Sequence, residues 1–285
     1  RALYELGSRD FDHYDAAEAE EHSFLVAGDP ANQTVLRRYD QAKRDRDRLG
    51  LQLQWAPDSG IVNVGAAYYW NKDNYDDNPV PCDHATAADL AFCPGGNQVP
   101  LGLQEAEYKT FSLDVDVSPS EGTTFYGFYS REDIFNLQTG RQSGSTVSFD
   151  PAFGWSSQVD DTVDSIGAGA NLALVPNRWL LDLFYRYQQA DGNNEFTAGT
   201  GLKPTTPAAD IPEYDDTKLN FFSAQIRYLF ATAWTVGLGG FWEDYELKDT
   251  QTGQVLNYMP GSFFINANNG DYNGWVGWLN LTYTF

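Results

Sequence analysis

The sequence predicts an all-β chain, a transmembrane antiparallel up-and-down β-barrel of about ten strands. Three observations predict it: a closing segment of alternating aromatic and polar residues, tight turns about 55 to 60 residues apart, and long polar connections between the hairpins. In the closing segment Trp275, Leu279, Leu281, Tyr283 and Phe285 share one face, while Asn280, Thr282 and Thr284 share the other. A period of two gives one side that suits lipid and one that suits water.

The turns are Pro57-Asp58-Ser59-Gly60, Pro119-Ser120-Glu121-Gly122, Val175-Pro176-Asn177-Arg178 and Ala231-Thr232-Ala233. Their Pro, Gly, Asn and Asp content supplies the backbone angles that reversals need. In the first hairpin Leu49, Leu51, Leu53 and Trp55, then Val62, Val64, Ala66, Tyr68 and Trp70, are expected outward. In the second, Phe111, Leu113, Val115 and Val117 are outward, and Tyr126 and Phe128 are placed with them, against Ser112, Asp114 and Asp116. The third sets Ile166, Ala168, Ala170, Leu172 and Leu174, then Trp179, Leu181, Leu183, Tyr185 and Tyr187, against an inner face with Asn171 and Arg186. The fourth sets Phe222, Ala224, Ile226, Tyr228 and Phe230, then Trp234, Val236, Leu238 and Trp242, against Gln225, Arg227 and Glu243. Residues 2–9 complete an even strand count, and the connections are expected near 71–104, 132–158, 190–213 and 248–271.

One barrel domain over residues 1–285 suits the length. Mean hydropathy is −0.47, and no apolar run approaches the roughly 18 residues of a spanning helix. Alternation makes a barrel look hydrophilic by averaging, so this value excludes nothing. The net charge of −22 argues against nucleic acid, whose phosphates require clustered Lys and Arg. The acidic clusters 73–77 and 18–21 read as solvated connections, and their spacing does not match an EF-hand. Arg1 opens the chain without a secretory signal, so the sequence reads as mature or truncated.

Cys82 and Cys93, the only cysteines, fall in one polar connection and are expected to form a disulfide there. No Cys-x-x-Cys-His occurs, so no covalently attached haem or other cofactor is expected on this chain. His13, His22 and His84 lack metal spacing, and no nucleophile elbow is present, so neither a metal site nor an enzyme is expected.

Candidate girdle residues follow from placement. Trp234 and Trp242 share a face eight residues apart, roughly 26 Å along a strand and about 20 Å when tilted. Trp55, Trp179, Trp234, Tyr283 and Phe285 form the expected ring at the turn end, and Trp70, Trp242 and Trp275 the other. Inward, the expected lumen-facing residues are Arg44, Arg46, Arg48, Gln52, Asn63, Asp114, Asn171, Arg186, Gln225 and Arg227. The arginine row either pairs with acids of neighbouring strands or meets an anionic partner. Inward Gly65, Gly167, Gly169, Gly237 and Gly239 either let the sheet bend or leave room along the wall for a bulky occupant.

The stretch Arg38-Tyr39-Asp40-Gln41-Ala42-Lys43-Arg44-Asp45-Arg46, running on into 49–57, resembles the MtrB/PioB family of outer-membrane barrels associated with decahaem cytochromes. So do Tyr228-Leu229-Phe230, the segment 234–245 and the terminus 274–285. The resemblance implies a porin-like sheath in the bacterial outer membrane that holds a periplasmic multihaem c-type cytochrome for electron transfer, with haem in the partner. It also implies that Phe285 engages the barrel-assembly machinery. Members are much longer, so the chain resembles their C-terminal portion, part of a larger barrel; a smaller barrel sharing the hairpin style is the other case. The alternative function is a diffusion porin or substrate-specific channel.

Overall fold

The computed structural model describes residues 1–9, 43–75, 102–141, 154–199, 208–212, 216–231, 233–248 and 270–284. These residues contain strands and turns and no helix. The strands are β1 (Ala2–Arg9), β2 (Arg44–Trp55), β3 (Val62–Asn74), β4 (Gly102–Ser120), β5 (Thr123–Arg141), β6 (Gly154–Val175), β7 (Trp179–Ala198), β8 (Ala208–Pro212), β9 (Asp216–Ala231), β10 (Trp234–Lys248) and β11 (Tyr272–Tyr283). Ten of them follow one another in sequence order through a single antiparallel sheet, and short β8 pairs with the upper part of β7. Among the described residues β1 and β11 do not pair, so the sheet is open.

All four predicted turns lie at one end. Gly60 and Gly122 have φ of 64° and 74°, and Asn177 has 56°, a left-handed conformation that Gly takes freely and Asn tolerates. The Arg178 amide donates to the Val175 carbonyl at 3.0 Å, closing the third turn.

Alternation holds along the spanning parts. Trp55 faces Val64, Leu51 faces Tyr68, Val64 faces Val115, Ala168 faces Tyr185, and Leu238 faces Ile226 on one side and Leu279 on the other. This outer face exposes large apolar side chains, Trp275 at 80% and Leu279 at 74%. Such exposure would be costly in water and is satisfied by lipid.

The second hairpin departs from the predicted faces. Val117 pairs with Phe125, and a two-against-one irregularity follows between Val117 and Ser120. Phe125 and Tyr129 therefore continue the outer face, and Tyr126 and Phe128 point inward, opposite Asp116 and Asp114. Aromatics occupy both parities of Phe125-Tyr126-Gly127-Phe128-Tyr129, so alternation alone could not choose between them.

The strands are also longer than predicted. Residues 132–141 and 154–158, expected in a connection, pair in β5 and β6, and 190–198 pair in β7 with β6 and β8. In the same way 71–74 and 102–104 extend β3 and β4. At 22 residues β6 is about twice the length that crosses a bilayer. The crossing ends where outward aromatics hand their polar tips to polar partners. Trp70 Nε1 donates to Glu107 at 2.5 Å, the Tyr129 hydroxyl to Asp164 at 2.6 Å, the Tyr185 hydroxyl to Asn220 at 3.0 Å and Trp242 Nε1 to Asn273 at 3.0 Å. Rings with an apolar body and a wet tip sit at an interface. Beyond this line the outer face turns charged, with Lys72–Glu105 at 2.7 Å and Arg131–Asp133 at 3.2 Å.

At the turn end the outer aromatics form a continuous band. Trp179 and Tyr228 lie 4.4 Å apart, Phe230 and Trp234 6.4 Å, and Trp234 and Tyr283 4.7 Å between ring centroids. Trp55 opens the same end on β2, and Trp242 pairs with Trp275 eight residues further up β10. Cys82, Cys93, Phe285 and the three histidines lie outside the described residues.

Candidate functional site: the inward wall

The inward face divides into two regions. Across β1 to β4 it is polar and charged. Arg46 makes a bidentate contact with Asp73, Nε to Oδ1 and Nη2 to Oδ2, each 2.5 Å, and Arg44 lies 3.8 Å from the same carboxylate. Arg48 donates to Asn71 at 2.9 Å and lies 3.7 Å from Glu5. Above the level of Trp70, Asp73 is 3% exposed, opposite Ala106 and 3.5 Å from the Tyr75 hydroxyl. Burial works against its charge, but the Arg46 hydrogen bonds and the charges of Arg46, Arg44 and Arg48 outweigh it and hold the carboxyl below the usual range. Burial, with the Asp73 charge, raises the Tyr75 hydroxyl. Bidentate arginine–carboxylate pairing fixes geometry as well as charge. The arginine row is thus tied to acids and an amide of its neighbours.

Lower on this side the Gln52 amide donates to the Tyr69 hydroxyl. Asn63 stands opposite Asp116, and Asp114 lies over Gly65, where a Cβ would meet its carboxylate.

Across β5 to β11 the face is aromatic. Tyr126 and Phe184 stack at 6.2 Å with 18° between their planes, and Phe128 and Phe184 at 6.3 Å with 16°. Phe184 meets Phe221 at 6.1 Å, Phe221 meets Phe241 at 5.5 Å, and Phe241 meets Trp278 at 6.3 Å. The inward glycines make this possible. A Cβ at Gly169 would collide with Tyr126, one at Gly167 with Phe128 and one at Gly239 with Trp278. The glycines leave no free room along the wall, because neighbouring side chains already lie in it. Glycine paired with an aromatic across strands lets the ring lie flat on the backbone.

The remaining predicted residues border or join this arc. Asn171 pairs with Asp182 across β6 and β7, and Arg227 binds Asp182 at 2.8 Å. Gln225 stands opposite Gly239. Arg186 lies over the Phe221 ring, 5.8 Å from its centroid, and no carboxylate pairs with it among the described residues. The sequence reading missed Asp73 and all six aromatics of the arc. Parity marks Phe184, Phe221, Phe241 and Trp278 as inward, each lying between outward residues, but the polar lumen expected of a barrel gives an inward aromatic no role.

A family model described as "Putative outer membrane beta-barrel porin, MtrB/PioB" matches residues 1–285. The chain belongs to the MtrB/PioB family. No curated protein matches its sequence. Among solved structures, the sheet is similar to the ferric citrate transporter FecA in its unliganded form, at 16% identity and a TM-score of 0.52, over 85% of this chain and 34% of that one. It is similar to P. aeruginosa FpvA bound to heterologous pyoverdine, at 11% and 0.52, over 85% and 34%. It is also similar to the copper transporter OprC, at 9% and 0.51, over 84% and 33%. At these identities the likeness concerns the fold alone, and this chain spans about a third of each of those chains. The MtrB/PioB chain is accordingly an outer-membrane β-barrel porin-family protein, its apolar face toward lipid and its polar and aromatic face toward the lumen.

Proposed function

We propose that this MtrB/PioB chain forms part of a porin-like sheath, with its short turns in the periplasm, that holds a multihaem c-type cytochrome for electron transfer across the outer membrane. Family membership over the whole chain is the observation that carries the reading. A wall of ten sequential strands that, among the described residues, does not close on itself supports it, since ten strands closed together enclose a lumen that side chains largely fill. The barrel itself carries out no chemistry and binds no cofactor; the haems belong to the partner, which it insulates and positions. Phe285 engages the barrel-assembly machinery as the strand is inserted.

The test is copurification. The full-length barrel, extracted in detergent from its source organism, should bring haem with it, and liposomes containing the complex should pass electrons to an external acceptor. A haem-free barrel that lets small solutes through would overturn the sheath and establish a diffusion porin, a role that Asp114 and Asp116 on the lumenal wall would suit.

A further inference from the structure

Six aromatic rings on the water side of a barrel wall need a reason. Interiors of such barrels are polar where they hold water, and a contiguous apolar patch on a wet surface marks an interaction site. Tyr126, Phe128, Phe184, Phe221, Phe241 and Trp278 join through ring contacts of 5.5 to 6.3 Å, across neighbouring strands β5, β6, β7, β9, β10 and β11. Six strands at about 4.8 Å spacing make the arc roughly 24 Å wide. Gly167, Gly169 and Gly239 seat Phe128, Tyr126 and Trp278 against the backbone. Small molecules are bound in concave pockets that enclose them; a face this wide suits a folded protein.

Charge narrows the partner. Arg44 and Arg46 meet Asp73, Arg48 meets Glu5, and Arg227 meets Asp182. Arg186, in the middle of the arc, has Phe221 beneath it and no carboxylate among the described residues. A guanidinium on an aromatic bed, partly screened from water, favours an incoming anion, and its planar fork matches a carboxylate.

We infer that this aromatic arc, with Arg186 at its centre, is the docking face for the lumenal cytochrome, taking an apolar stretch of that protein's surface that carries a carboxylate opposite Arg186. The inference rests on the sheath reading and adds where contact is made: on β5 to β11, with the self-paired charges of β2 to β4 on the wetter side. Docking energy is then concentrated in a few central residues, as in protein interfaces generally, with aromatic and arginine anchors.

The experiment compares haem retained per folded barrel for the full-length protein and four variants, with heat-modifiable electrophoretic mobility reporting the fold. Arg186→Glu, which leaves the ring contacts in place, and Phe221→Ser/Phe241→Ser should each lower retained haem by about fivefold or more. Arg186→Lys should retain more haem than Arg186→Glu, and Gln52→Ala/Asn63→Ala on β2 and β3 should retain the wild-type amount. Undiminished haem in Arg186→Glu and in the double serine variant would overturn the arc while leaving the sheath standing. Loss only in the Gln52/Asn63 variant would place docking on the charged side and overturn it equally. A wild-type barrel without haem would sink the sheath reading and this inference together.

Discussion

The ring of Tyr126 lies across Gly169 of the neighbouring strand, in the volume a Cβ at position 169 would need. The same relation joins Phe128 to Gly167 and Trp278 to Gly239. The glycines of the inner wall are thus half of a packing motif.

Substituting those glycines should therefore be costly. Gly169→Val has no free space and would displace Tyr126 from its stack with Phe184, destabilising the wall by about 1–3 kcal/mol. Gly127→Ala, whose Cβ would meet only the Gly167 carbonyl at 3.5 Å, should be tolerated. Midpoints of thermal unfolding in detergent would separate the two, and equal midpoints would refute the motif.

Asp73 should make the upper rim of β2 and β3 acid-sensitive. Its carboxyl is held below its ordinary range in the folded chain, so its contribution is present above the unfolded pKa of about 3.9 and is lost as pH falls through the folded value. Asp73→Asn should remove that dependence and cost about 3 kcal/mol locally, because Arg46 loses its bidentate partner while half-buried. Hydrogen exchange at 44–48 and 71–75 from about pH 5 down to about pH 2 would show it; identical profiles for the two proteins would be contrary evidence.

The position of the lipid band can be probed with charge. Leu238 is 60% exposed on the outer face between Trp234 and Trp242, so Leu238→Arg should cost about 2–4 kcal/mol. Glu246→Arg, four residues beyond Trp242, should cost little, being above the line of polar-tipped aromatics. Unfolding titrations in lipid vesicles would compare them, and a comparable loss in both would move the boundary.

Sidedness and the cysteine pair can be checked together. A thiol reagent that does not cross the membrane should label Asp191→Cys on intact cells and spare Ser120→Cys in its turn. The native chain should yield a linked Cys82–Cys93 peptide from an unreduced digest, closing a loop worth roughly 3 kcal/mol in the chain-entropy model. Reversed labelling would invert the orientation, and two free thiols would exclude the bridge.

The amino-acid sequence by itself determined the membrane-crossing parts of ten strands, the four turns and the lipid face apart from β5. Lipid accepts only apolar side chains on every second position, and only Gly or Asn is comfortable where a turn needs positive φ, so these features are written locally at Leu51-Leu53-Trp55 or Gly60. Above the membrane that pressure ends. Ser157, Gln158, Asn193 and Asn194 alternate in space but not in polarity, so these stretches read as connections. The inner wall depended on the tertiary structure for a different reason. Tyr126 and Phe128 face inward because an irregular pairing near Pro119 sets the register of β5, and register belongs to two strands at once. Only the assembled sheet could bring Phe128, Phe184, Phe221, Phe241 and Trp278 from five strands into one surface, and set Arg186 over Phe221 within it.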